Sequence, residues 1–399
     1  MSGIYERLGV APIINAYGTN TRLSGGIMAP EVAQAMVEAS QYCVDMVELQ
    51  ARASQEIAAA TGAEAGLVTS GAAAGVLLGL AACITGLDPE KMNRLPDASG
   101  MRRELLVPRS HRNFDDRAAR ALGAHVVEVG LPDRFAGTGV RDTEAWEIAA
   151  AITERTAAVY YLAKPFALPK LPEVVAAAGG KGVPVVVDAA AELPPKENLR
   201  RFISEGAALV AFSGGKAIGG PQASGILAGK RELIAAAALQ MLDLDLFFEQ
   251  FNPPPTFISK QSLPGLPQHG IGRPCKVGKE EIVGLLTALR LFAADTGARA
   301  ERWRRLSAEL LAGLNSIPDL AVESAPDGRE SGIPLLAVRL KPRRDGLDMR
   351  AVARRLEAGK PSLRCNVSRA GEGLIILSPV SLRDDQLPEI VACFRAALA

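Results

Sequence analysis

The sequence is short of the residues from which metal centres and disulfide frameworks are built. Among 399 residues there are three histidines, His111, His125 and His269, too far apart for a His-x-x-x-His pair. The five cysteines, Cys43, Cys83, Cys275, Cys365 and Cys393, are scattered, odd in number and never in a Cys-x-x-Cys spacing. Neither a metal cluster nor a disulfide framework is expected, and the thiols read as small hydrophobes of a reducing compartment. Net charge is also lacking: 45 basic against 44 acidic residues leave +1, so no overall field draws nucleic acid or an anionic membrane. There is no apolar run long enough to span a bilayer and no basic-then-apolar leader at Met1, which makes the cytoplasm the expected location. Three enzyme signatures are missing too. Gly214-Gly-Lys216 lacks the spacing of a nucleotide P-loop, no Gly-x-Ser-x-Gly elbow occurs, and no strand leads into Gly-x-Gly-x-x-Gly.

What is present is an ordinary globular composition, 48% hydrophobic and 22% charged, in a chain long enough for two cores. Pro30 opens a helical pattern that runs to about Ala60 with a break near Cys43 to Asp45. Short apolar runs near 66–69, 105–107, 125–129, 157–161, 183–187, 207–212 and 224–228 then alternate with helical or loop connections. Such alternation predicts an α/β architecture, with a mostly parallel seven-stranded sheet between layers of helices. Leu87 to Arg103 reads as a surface loop. Pro253-Pro-Pro255 and Leu263-Pro-Gly-Leu-Pro267 read as a stiff linker, followed by helices near 279–296, 300–315, 348–357 and 384–398 and strands near 334–340, 363–367 and 373–377. The expected division is an N-terminal arm and helix (1–45), a large domain (46–278) and a smaller C-terminal α+β domain (279–399). The basic cluster of Arg339, Lys341, Arg343, Arg344, Arg350, Arg354 and Arg355 has Asp345, Asp348 and Glu357 interleaved, which favours a solvated face over an RNA site.

The chemistry centres on Ala208-Leu-Val-Ala-Phe-Ser213-Gly-Gly-Lys216, a strand-like run that stops at a glycine turn and displays one lysine. Two roles are open to Lys216: a surface lysine reaching for water, or an amine held against apolar walls, where loss of its proton makes it a nucleophile. Asp188, 28 residues earlier, ends the run Val183-Pro-Val-Val-Val and is followed by small residues. A carboxylate there suits the pyridine nitrogen of pyridoxal 5'-phosphate, and Ala190 lets a flat ring lie close. Farther upstream, Val68-Thr-Ser70-Gly71-Ala72 leads from a strand into an Ala/Gly-rich helix start, where free backbone N–H groups beside a hydroxyl form an anion cradle.

This ordered set resembles the fold-type-I pyridoxal-phosphate enzymes. Within them it is most similar to the selenocysteine synthase (seryl-tRNA selenium transferase)-like group, which includes D-glucosaminate-6-phosphate ammonia-lyase-type proteins. The motifs are Thr-Ser-Gly-Ala, a histidine, Asp-Ala-Ala and Ser-Gly-Gly-Lys-x-Ile-Gly-Gly-Pro-Gln. Pro12-Ile-Ile-Asn15-Ala-Tyr-Gly18 and Gly272-Arg273-Pro-Cys-Lys276-Val-Gly-Lys279 extend the likeness over nearly the whole chain. The resemblance implies the cofactor covalently on Lys216, with His111 stacked on the ring; the rival role for His111 is a helix cap. Ser213 reads as a second phosphate ligand or a turn hydroxyl, and Arg273 as a substrate-anion clamp or a linker arginine. Arg364 and Arg369 are further clamps, while Asn15 and Thr19 are either substrate contacts or part of a structural arm.

The expected reaction is at Cα of a small amino acid: Lys216 as general base, then β-elimination to ammonia and a 2-oxo acid. A racemase is the alternative, needing a second acid for which Cys275 and Tyr17 are available. A selenium transferase on aminoacyl-tRNA is disfavoured, since no tRNA-binding domain is expected ahead of the Asn15 motif and no basic surplus compensates. A non-catalytic binding protein would have no chemical need for the Asp188 and Lys216 pair. The resemblance also implies a homodimer or higher homo-oligomer.

Overall fold

The computed structural model describes residues 3–131, 142–327, 331–342 and 345–399. The chain forms two units, Met28–Ala293 and a second that joins Met1–Ile27 to Ala294–Ala399. The second unit starts the chain with α1 (Ile4–Arg7) and β1 (Ile13–Asn15).

In the larger unit Pro30 begins α2 (Pro30–Ser40), where its fixed φ suits the first turn and its missing N–H is not needed. The break expected after it is an N-cap. The Asp45 carboxylate accepts from the N–H groups of Val47 and Glu48 and starts α3 (Met46–Thr61), which Gly62 ends in the left-handed conformation at φ 74°.

Seven strands follow: β2 (Ala65–Thr69), β3 (Glu104–Pro108), β4 (His125–Val129), β5 (Thr156–Leu162), β6 (Val185–Asp188), β7 (Leu209–Ser213) and β8 (Gly225–Gly229), each on an expected apolar run. They make one sheet in the order β2-β8-β7-β6-β5-β3-β4, parallel except for β8, which runs against both neighbours. Strands β2, β6 and β8 are buried along their whole length, as uninterrupted β-branched and small apolar residues require when both faces are covered. Edge strand β4 instead exposes His125 and Glu128, which discourages pairing with another sheet. Apolar on nearly every side, α4 (Ala72–Thr85) is buried against the sheet. It lies close because Gly79 faces Leu209: a Cβ there would sit 3.1 Å from Leu209 Cδ1.

Two expectations are corrected. The stretch 87–103 is not a plain surface loop; it contains a helix at Pro89–Arg94 and buries Met92, Leu95, Ala98 and Met101. These four apolar anchors are spaced among polar residues that dominate the composition. The unit boundaries also differ from 1–45, 46–278 and 279–399. Lys279–Ala294 is a helix of the larger unit, because Ile282, Leu285, Leu286, Leu289 and Phe292 are buried in its core. The arm to Ile27 instead belongs with the C-terminal residues, where Ile14 and Ala16 join the second core.

In that second unit β9 (Leu320–Ala325), β10 (Leu335–Leu340) and β12 (Leu374–Leu377) form an antiparallel sheet in the order β12-β10-β9, while β11 (Ser362–Arg364) pairs in parallel with β1. Helices Ala298–Asn315, Met349–Ala358 and Leu387–Leu398 complete it. In the basic cluster Arg339 pairs with Glu323 at 3.5 Å and Arg355 donates to the Ala397 carbonyl at 2.9 Å; Arg343 and Arg344 lie outside the described residues. No helix among the described residues is long and apolar enough to cross a membrane.

Candidate active site

The strand register gathers the sequence-predicted residues of the larger unit at one edge of its sheet. β2, β3, β5, β6 and β7 all finish there, and the reversed β8 begins there, with Thr69 and Ser213 both opposite Gly225. Leu162 pairs with Asp188, and Asp188 with Ala211. Read across the edge, the order is Ser70, Gly225, Ser213, Asp188, Leu162 and the turn carrying His111. The carboxyl ends of parallel strands are where open α/β sheets form their binding crevices.

Lys216 sits in a tight turn, Gly214–Ile218, directly after β7. Both glycines before it are required by close approach: a Cβ on Gly214 would lie 2.3 Å from Ser224 Oγ, and one on Gly215 would lie 2.6 Å from Gln222 Cα. The turn is closed by Gly214 N–H to Ser224 O and Gly220 N–H to Gly214 O, each 2.9 Å. The backbone leaves the helical region at Lys216 (φ −104°, ψ −123°), and its side chain is half-buried on this fixed mount.

Asp188 is 5% exposed, and its two oxygens are held by neutral donors. Oδ1 accepts from the Ala190 N–H at 3.0 Å, and Oδ2 from the Tyr160 hydroxyl at 3.2 Å. Burial pushes this carboxyl above its ordinary range; the Ala190 N–H, the Tyr160 hydroxyl and the positive charge of Lys216 act the other way. The sequence reading did not single out Tyr160, which the fold brings against Asp188. The available signal was a pair of tyrosines, Tyr160 and Tyr161, inside a buried apolar strand, since a buried phenol needs a partner.

At the head of the edge, α4 starts at Gly71 with no side-chain cap. Gly75 N–H bonds back to Gly71 O at 3.0 Å, so the amides of Ala72, Ala73 and Ala74 are the helix's orphan donors. Ser70 is half-buried beside them, and Thr69 Oγ1 fixes the turn by donating to Gly71 O at 2.8 Å. Gly225 leaves this turn its space: a Cβ there would come within 2.4 Å of the Gly71 carbonyl carbon.

These features fit pyridoxal 5'-phosphate. A buried carboxylate whose ionisation burial opposes suits a cationic ring nitrogen, the uncapped helix start suits a phosphate, and Lys216 follows β7, whose place in the sheet is between the strands that end at them.

His111 is buried just past β3. Its Nδ1 accepts from the Leu162 N–H at 3.3 Å, so Nε2 carries the hydrogen and donates to the Leu168 carbonyl at 3.1 Å. The Tyr161 ring meets it edge to face, with centroids 4.6 Å apart. The imidazole is thus fixed as a flat surface rather than a helix cap.

The structure distributes the proposed substrate contacts differently. Arg273 is ion-paired with Asp243, whose carboxyl is held below the usual range by the Asp245 N–H and by Arg273 itself. In the second unit Asn15 lies in register with Arg364. The Asn15 amide is committed to the arm's own backbone: Nδ2 donates to Gly18 O and Gly25 O at 3.0 Å, and Oδ1 accepts from Tyr17 and Gly18 at 3.0 and 3.3 Å. That fills the capacity of the amide within the arm. Thr19 is half-buried in the same arm. Arg364 pairs with Glu357, while its Nε is buried with no acceptor among the described residues. Arg369 pairs with Glu372 at 2.6 Å.

The family model of L-seryl-tRNA selenium transferase matches residues 118–247. A 5'-C-glycyluridine monooxygenase-decarboxylase from a Streptomyces species is 32% identical, covering 97% of this chain and 90% of its own length. D-glucosaminate-6-phosphate ammonia lyase of Salmonella typhimurium (strain 14028s / SGSC 2262) is 29% identical over 98% of this chain and 97% of that protein. A solved structure of D-glucosaminate-6-phosphate ammonia-lyase superposes with a TM-score of 0.82 at 28% identity, covering 100% of this chain and 98% of that one.

Proposed function

The chain belongs to the group of fold-type-I pyridoxal-phosphate enzymes that contains the L-seryl-tRNA selenium transferases and D-glucosaminate-6-phosphate ammonia lyase, and from that premise we propose that it is a lyase converting a small β-hydroxy amino acid to ammonia and a 2-oxo acid. The observation that carries this reading is Asp188, a buried carboxylate at the same sheet edge as Lys216 and acted on by its charge.

Lys216 is the residue to carry the cofactor covalently, Asp188 the counter-charge for its ring nitrogen, and Ser70, Gly71, Ala72 and Ser213 the phosphate holders. His111 and Ala190 supply flat and small surfaces against a ring. When bound, pyridoxal 5'-phosphate supplies an electron sink that stabilises negative charge on the substrate's Cα. The Lys216 amine, once free, removes the Cα proton, and the ammonium it becomes returns that proton to the departing β-oxygen. Racemisation would need a second acid, and His111 is a poor source because both ring nitrogens are engaged.

With a formal charge of +1 and no basic surplus, a small amino acid is a better substrate than tRNA. We take the protein to work in the cytoplasm as a homodimer. Ile4, Tyr5, Leu8 and Val10 of the arm, each at least 55% exposed, form an apolar surface for a second copy.

Incubating the reconstituted enzyme with D- and L-β-hydroxy amino acids tests the reaction. Ammonia and a 2-oxo acid are expected, with Lys216→Ala lowering turnover by about 10²–10⁴-fold or more. If heavy water instead yields α-deuterated amino acid of both hands and no 2-oxo acid, the protein is a racemase.

A further inference from the structure

The Tyr160 hydroxyl reaches Asp188 from the middle of β5, and its place there is not explained by packing. Tyr160 is 1% exposed, and a phenylalanine would fill nearly the same volume without burying a polar group. The adjacent Tyr161 sends its own hydroxyl to the Pro169 carbonyl at 3.1 Å, so the two tyrosines serve different partners. Resting on the cofactor reading above, we infer that Tyr160 is a positioning residue that aims Asp188 and keeps it ionised for the cofactor's ring nitrogen.

Asp188 has few sources of compensation for its buried charge. The Ala190 N–H serves Oδ1, and Tyr160 serves Oδ2. Among the charged groups that act on the pair, Lys216 at the end of β7 favours the anion, while Asp115, in the turn after β3, opposes it. Asp115 and Asp116 together also act on Tyr160. Burial first, and the Asp188 charge second, push the phenol upward, so it remains a donor at every working pH. A phenol donating to Oδ2 also leaves the carboxylate little freedom to rotate about its Cβ–Cγ bond, which orients the oxygens before the cofactor arrives.

Apo-protein titrated with pyridoxal 5'-phosphate across a pH series reads this directly, without turnover. Tyr160→Phe is expected to weaken cofactor affinity about tenfold, the effect of one hydrogen bond to a charged group. It is also expected to move the acid limit of cofactor retention to higher pH, because a carboxylate that has lost a donor takes up a proton sooner. In an Asp188→Asn background the same change should add nothing, since the charge it serves is gone. Incorporating 3-fluorotyrosine at position 160, a stronger donor of nearly the same shape, should move the acid limit downward, and it carries the test alone if Tyr160→Phe does not fold. Equal losses in both Asp188 backgrounds, or an acid limit that moves with neither variant, would overturn the inference and leave Tyr160 a packing residue. Wild-type protein that fails to bind the cofactor overturns the cofactor reading itself.

Discussion

Asp188 shows how a binding residue can weigh on the protein that carries it. Because burial raises its carboxyl above the ordinary 3.8, the folded apo-protein holds this proton more tightly than the unfolded chain does. Its contribution to stability is therefore fullest below that value and falls as pH rises through the raised one. Asp188→Asn removes the loss while keeping the shape. In urea unfolding of apo-protein the variant should be the more stable by about 1–3 kcal/mol near neutral pH, with the difference vanishing toward about pH 4. A wild type more stable than the variant at neutral pH would contradict the burial argument. The placement of Lys216, Asp188 and Ser70 at one edge of the sheet was legible in the sequence because each lies at or just past the end of an apolar run, beside small residues or glycine. Tyr160 was not, since only the neighbouring strand reveals which partner a buried phenol meets. For the same reason the Arg273 pairing with Asp243 and the saturation of Asn15 by its own backbone could not be read from spacing.

At the scale of elements, the start of α4 and the start of β8 form one construction. Gly225 is present because the Gly71–Ala72 backbone passes where a side chain would be, with Ala72 N only 2.7 Å from a Cβ built there. Gly225→Ala should therefore displace the uncapped helix start, costing about 1–3 kcal/mol in stability and weakening cofactor binding beyond that of a variant equally destabilised elsewhere. Chemical denaturation and cofactor titration of the same preparation check both, and an affinity equal to wild type would separate Gly225 from the cradle. Six strands of the large sheet were visible as apolar runs because strands buried on both faces leave an uninterrupted signal, whereas β4, which exposes His125 and Glu128, was visible through its valines alone. β9 was not, because Leu320-Ala-Val-Glu-Ser-Ala buries only Leu320 and Val322 and exposes Ala321, Glu323 and Ser324. The helix at Pro89–Arg94 was masked by polar neighbours that its single buried side chain, Met92, does not outweigh.

Over the whole molecule, chain order is a poor guide to unit membership: the first residues pack with the last through β1 and β11, a parallel pairing between strands of three residues each. Pro-rich linkers suggested a boundary, but burial of the Lys279–Ala294 stripe decided it. The exposed apolar arm predicts self-association, so sedimentation at micromolar protein should give twice the 41.9 kDa chain mass. A monodisperse species of one chain mass would remove the dimer. The central claim, that one lysine at the end of β7 is the attachment point on which the rest of the site converges, is tested most directly by covalent labelling. Protein reconstituted with pyridoxal 5'-phosphate, reduced with borohydride and digested should carry the label on the peptide containing Lys216. A label on Lys164, Lys181 or Lys230 instead would contradict the account.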